Sequence, residues 1–160
     1  MTAHTETKIV PYTATVMYRV VADVESYPQF LPWVRSARIL TDHGNVLDAE
    51  MTVGFGRFVE TYTSRVTLDP EGRTIAVKQT KGPFRILENH WRFTPETRKS
   101  CRVFFSIMFE FRNPLLNMVA GRAFERVSMR MAEAFERRAK ILSRKNKNRN
   151  KPDQGAPQAV

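Results

Sequence analysis

The chain has 160 residues, 42% of them hydrophobic, enough for one domain with a sizeable buried core, and no apolar run reaches membrane-spanning length. Its net charge of +10 is lopsided: residues 1–136 carry 18 Lys/Arg against 15 Asp/Glu, whereas residues 137–160 carry 8 against 1. The single cysteine, Cys101, excludes an intramolecular disulfide and suits a reducing compartment, and the opening MTAHTETK has no signal or transit pattern, so neither export nor organelle import is expected.

Residues 3–10 read as a first strand stopped by Pro11. Thr13 then suits an N-cap, with Val16, Met17, Val20, Val21 and Val24 recurring at helical spacing. The stretch ESYPQFLPWV, 25–34, follows as a second, short helical turn. Pro28 and Pro32 forbid a long helix there and stiffen a bent element that presents Tyr27, Phe30, Leu31 and Trp33. From residue 34 the period becomes two. LDAEMTVGF (47–55) alternates Leu47, Ala49, Met51, Val53 and Phe55 against polar residues. RFVETYTSRVTL (57–68) places Phe58, Tyr62, Val66 and Leu68 on one parity, and TIAVKQ (74–79) supplies Ile75 and Val77. FRILENHWRF (84–93) sets Leu87, Trp91 and Phe93 opposite Glu88, His90 and Arg92, while CRVFFSIMFEF (101–111) aligns Val103, Phe105, Ile107, Phe109 and Phe111. Turns are expected at DHGN (42–45), at Gly54 with Gly56, at DPEG (69–72), KGP (81–83) and TPET (94–97). Short strands joined by tight turns make an antiparallel meander with one buried face.

From Asn113 the period returns to 3.6. Leu116, Val119, Ala120, Ala123, Phe124, Val127, Met131, Ala134, Phe135 and Leu142 form one stripe on a helix of about seven turns, with Pro114 harmless near its start. Beyond residue 143 the composition turns polar and then Pro/Gly-rich, which divides the chain into a folded domain, 1–143, and a basic, disordered tail, 144–160. The order of elements predicts an α+β domain.

Catalytic and metal chemistry find little support. His4, His43 and His90 fall in different elements and Cys101 has no cysteine partner, so no metal site is expected. A glycine-rich phosphate loop and a nucleophile elbow are both missing, and Gly54 and Gly56 suit a bend or bulge. His90 is the best acid–base candidate. Its parity puts it with Glu88 and Arg92, so it is expected to face solvent and no catalytic residue is assigned. Glu60 shares parity with Phe58 and Tyr62; turned inward, it needs a partner, either a ligand oxygen or a neighbouring arginine.

The order of elements, with DVESYPQFLPWV after the first helix, GPFRILENHWRF in a late hairpin and a long terminal helix, resembles the coenzyme Q-binding START-like family of the polyketide cyclase/START superfamily over roughly residues 3–143. The resemblance implies a helix-grip fold: a curved antiparallel sheet of about six or seven strands, with two short helices after the first strand, wraps the terminal helix and leaves an apolar cavity. It implies non-enzymatic binding of ubiquinone or a similar polyprenylated lipid, carried as a ligand with no cofactor, in support of respiratory electron transport or quinone biosynthesis. A branch of the same family resembles a toxin that binds the ribosome and blocks subunit association, which is the alternative; a cyclase-like enzyme ranks third. On the ligand-binding reading the cavity contacts are Phe30 and Trp33 at a portal lip, with Phe58, Tyr62, Phe84, Leu87, Trp91, Phe105, Ile107, Phe109, Leu116, Val119 and Phe124. The basic run Arg137, Arg138, Lys140, Arg144, Lys145, Lys147, Arg149 and Lys151 is expected to touch an anionic membrane surface transiently, or RNA. The expected location is the bacterial cytoplasm, peripheral to the inner membrane.

Overall fold

The computed structural model describes the backbone of residues 1–150 and the side chains of residues 1–146. Strand β1 (Thr2–Val10) leads to helix α1 (Ala14–Ala22) and a 3-10 helix (Val24–Gln29). Six further strands follow: β2 (Val34–Asp42), β3 (Val46–Phe55), β4 (Phe58–Asp69), β5 (Thr74–Lys81), β6 (Phe84–Thr97) and β7 (Ser100–Phe111). Helix α2 (Pro114–Asn150) ends the described chain. The Thr13 hydroxyl accepts the Val16 amide at 3.2 Å and so starts α1. Pro28 limits the next segment to a 3-10 helix, closed where the Phe30 and Leu31 amides both donate to the Tyr27 carbonyl.

All seven strands pair antiparallel in the order β1-β7-β6-β5-β4-β3-β2. Residues 34–111 are a simple meander. The first strand joins its far edge, from Thr2 opposite Phe109 to Val10 opposite Cys101. Alternation decides which face is buried: Val103, Phe105, Ile107, Phe109 and Phe111 are all at most 3% exposed, whereas Arg102 and Met108, at the other parity, face outward. Helix α2 lies on that concave face. Phe124 sits 4.4 Å from the Phe109 ring and 5.2 Å from Phe84; Phe135 sits 5.2 Å from both Tyr27 and Trp91. Each such ring removes enough apolar surface from water to stabilise the fold by about 2–3 kcal/mol. The expected helix-grip, α+β, is the observed fold.

Four expectations need correction. TPET, 94–97, is the end of β6, and the reversal falls at Arg98–Lys99. The Phe93 amide bonds the Arg73 carbonyl on the β5 side, so Pro95 points its missing donor the same way, past the point where β5 ends, and no ladder bond is lost. Helix α2 continues to Asn150, beyond the expected boundary at 143, because residues 144–150 are Lys, Arg and Asn with no proline or glycine to stop it. Residues 151–160 lie outside the described chain. Val119, assigned to the buried stripe, is 48% exposed: α2 turns its Ala120 and Phe124 flank to the sheet, which leaves Val119 on the outer side with Leu115 and Met118. Phe30, expected at a cavity lip, packs against α2 instead, as described below.

Candidate functional site

Between the concave sheet, the 24–34 segment and α2 lies a cavity of about 70 Å³. Its wall is built from four sources. The stiff segment contributes Val24, Tyr27, Leu31 and Trp33. The carbonyl of Trp33 accepts the Gly54 amide at 2.8 Å, which ties that segment to β3 and sets Trp33 at the cavity edge. From β3 and β4 come Met51, Val53, Tyr62, Ser64 and Val66; from β5 to β7 come Val77, Leu87, Asn89 and Ile107. Phe124, Val127 and Met131 close it from α2.

Five of the expected contacts are therefore brought together: Trp33, Tyr62, Leu87, Ile107 and Phe124. Phe84, Phe105, Phe109 and Trp91 do not line the cavity; they are buried beside it in the core. Phe84 stacks on Phe111 at 4.5 Å and Trp91 meets Phe105 at 4.2 Å. Phe58 pairs with Phe55 across the two-residue turn Gly56–Arg57, where Gly56 takes φ 60°, and Leu116 is half-buried in the first turns of α2. Neither lines the cavity, and nor does the exposed Val119. Phe30 belongs elsewhere: its ring lies 6.0 Å from Tyr27 and 5.4 Å from Phe135, with the Arg138 guanidinium 5.1 Å above it. The sequence reading missed Ser64, Asn89, Met51 and Tyr27. For Ser64 and Asn89 a signal exists, because each is a polar residue at an inward parity, between Tyr62 and Val66 and between Leu87 and Trp91.

The wall is nearly uncharged. It carries no Asp, Glu, His, Lys, Arg or Cys among the described residues, and its only titratable groups are two phenols. Burial pushes both Tyr27 and Tyr62 well above the ordinary phenol range, so both stay protonated at any physiological pH. The Tyr27 hydroxyl donates to the Val21 carbonyl at 2.5 Å, and the Tyr62 hydroxyl to the Met51 sulfur at 3.4 Å. The Ser64 hydroxyl is buried and has no partner among the described residues. Such a wall can hold an apolar molecule and offer it hydroxyl donors; it has no group that exchanges a proton near pH 7. Glu60 is half-buried on the Tyr62 face but outside this wall, and His90 faces outward, as its parity predicts. Cys101 is wholly buried in the core.

The basic run divides. Arg137 pairs with Glu133 at 2.8 Å, and Arg138 donates to the Gln29 side chain at 3.0 Å while covering Phe30. Lys140, Arg144 and Lys145 are exposed on α2. Lys147 and Arg149 fall in its last turns with side chains outside the described set, and Lys151 lies outside the described residues altogether. No helix among the described residues is long and apolar enough to cross a membrane.

With this geometry in place, the relatives become informative. The ribosome association toxin RatA of Escherichia coli strain K12 is 39% identical over 134 residues, covering 84% of each chain. The mitochondrial coenzyme Q-binding protein COQ10 homolog B of Xenopus laevis is 34% identical over 139 residues, 85% of this chain and 57% of its own. Among solved structures, an 18 kDa protein of Caulobacter crescentus superposes with a TM-score of 0.71 at 37% identity, covering 89% of this chain and 99% of its own. The family described as polyketide cyclase/dehydrase and lipid transport matches residues 10–136. The chain belongs to that family.

Proposed function

We propose that the protein binds and shields an apolar lipid, a polyprenylated quinone such as ubiquinone, without transforming it. The observation that carries this reading is the cavity between α2 and the concave sheet, whose wall is apolar apart from a few hydroxyl and amide groups. The lipid-transport description of the family and the coenzyme Q-binding relative support the choice of ligand. Transfer of a hydrocarbon tail into such surroundings is favourable by about 0.8 kcal/mol per CH₂-sized group, so retention needs no charged contact. A wall without an acid or a base suits a carrier better than a cyclase.

Size sets a condition on binding. The cavity of about 70 Å³ is roughly half of the ~150 Å³ that holds a benzene ring, so loading must widen it. Met51 on β3 and Met131 on α2 are the wall residues best suited to yield, because their unbranched thioether chains have several rotamers of similar energy. The test is organic extraction of the purified protein followed by mass spectrometry, together with titration of added ubiquinone. An isoprenoid quinone should co-purify, and added quinone should raise the melting temperature. Protein that is lipid-free and indifferent to added quinone would overturn the reading.

A second reading, a ribosome-directed one, is favoured by the 39% identity to a ribosome association toxin and by the exposed Lys140, Arg144 and Lys145. RNA-binding surfaces usually interleave exposed aromatics with basic residues; here most aromatic rings are buried in the core or held against α2, with Phe104, half-buried under the Arg92 guanidinium on the outer face of the sheet, an exception. Polysome profiles on overexpression decide it: accumulation of separate subunits supports this reading, and an unchanged profile removes it.

A further inference from the structure

Ser64 stands in the middle of β4 on the concave face, 4% exposed, and its hydroxyl meets no hydrogen-bond partner among the described residues. A buried hydroxyl left in that state destabilises the fold relative to a paired one. The natural partner would be Gln79, directly opposite on β5. That side chain is committed elsewhere: its amide group donates to the Phe84 carbonyl at 2.7 Å and its oxygen accepts the Phe84 amide at 3.0 Å. Those two bonds close the β5–β6 turn, and Gly82 in that turn comes so near that a Cβ there would sit 2.5 Å from the Tyr62 Cβ. Tyr62, two residues before Ser64 and on the same face, donates among the described residues to the Met51 thioether, a weak acceptor. The fold thus places two under-used hydroxyl donors side by side on one wall of a cavity whose other polar groups are the Asn89 carboxamide and the Tyr27 hydroxyl, the latter bonded to the Val21 carbonyl.

We infer that Ser64, with Tyr62 beside it, is the recognition point of the cavity: its O–H donates to a carbonyl or alkoxy oxygen on the ring of the bound molecule. The inference rests on the proposed lipid-binding role and sharpens it. The ligand class is a neutral, oxygen-bearing ring with an apolar tail. A plain hydrocarbon would leave the Ser64 hydroxyl unpaired. A fatty acid would bury a carboxylate against a wall that offers no cation among the described residues.

The experiment compares wild type with Ser64→Ala and Tyr62→Phe, using decylubiquinone and decylbenzene as probes and thermal melts of the ligand-free proteins. Ser64→Ala should melt at the same temperature as wild type or higher, since it removes an unpaired group. It should bind decylubiquinone about tenfold more weakly and decylbenzene unchanged. Tyr62→Phe should weaken decylubiquinone selectively too, by a few fold. A melting temperature lowered by about 3 °C or more in Ser64→Ala would mean that the hydroxyl is already paired, and would overturn the inference. Equal weakening of both probes, or no weakening of decylubiquinone, would do the same. Wild-type protein that binds decylbenzene but not decylubiquinone overturns the recognition point and leaves lipid binding standing; binding of neither overturns both.

Discussion

Phe30 and Trp33 are three residues apart in one stiff segment, yet they serve different neighbours. Trp33 forms the cavity edge, while Phe30 fills an aromatic box with Tyr27 and Phe135 under the Arg138 guanidinium. Phe30→Ala should lower stability by about 2–3 kcal/mol in urea unfolding and leave quinone affinity of the folded protein unchanged. Trp33→Ala should weaken quinone binding beyond its effect on stability; matched losses in both variants would show that the two rings do the same job. Nothing local in ESYPQFLPWV separates these roles, because what assigns Phe30 is the arrival of Phe135, far along the chain. Cys101 gives a prediction in pH. Burial pushes its thiol from an ordinary value near 9 up to about 11. The unfolded chain releases that proton first as pH rises, so stability should fall between about pH 9 and pH 11. Melting curves of Cys101→Ala should decline less steeply than wild type across that window; parallel declines would mean the buried thiol is not the cause.

At the scale of elements, period was a reliable guide and punctuation was not. The alternation in 101–111 and the inward parity of Leu87, Trp91 and Phe93 match the observed burial residue by residue. Pro95 misled because a proline's effect depends on whether a neighbouring strand needs its amide, and β5 has already ended there. The end of α2 was misplaced for a related reason: loss of the apolar stripe ends burial, and a helix can outlast it. Among the described side chains, Ala139 is the last fully buried residue of α2 and Leu142 is half-buried, whereas Arg144 and Lys145 are exposed. Truncation after Leu142 should therefore leave the melting temperature within about 3 °C of wild type. It should also abolish co-sedimentation with anionic vesicles at low salt, where each basic residue near the surface contributes about 1 kcal/mol. Equal binding by the truncated protein would reduce this end of α2 to a solubilising extension.

For the whole molecule, the sheet is ordered by the chain's two ends. The meander β2 to β7 forms between sequence neighbours, but β1 must reach β7, and the concave face is covered by α2. A chain ending at Asn113 should keep strand content, bind a hydrophobic dye and aggregate at micromolar concentration; a soluble monomer of that length would mean the sheet buries itself without α2. The fold class was readable because β3 to β7 each carry their own parity. The cavity was not, since a void is set by how closely α2 approaches the sheet, and no single residue encodes that distance.

The pairing of the first strand with the last has a consequence for synthesis. A polypeptide leaves the ribosome from its N-terminus, so β1 waits beside the growing chain until residues 101–109 have appeared. Phe124 and Phe135, which close the apolar face, arrive later still. Throughout that interval the nascent chain displays the rows of Phe, Trp and Val side chains that the finished protein hides, and holds an unpaired sheet edge next to them. The layout that lets α2 act as the last wall of a cavity thus gives newly made protein a period in which chaperone capture competes with closure.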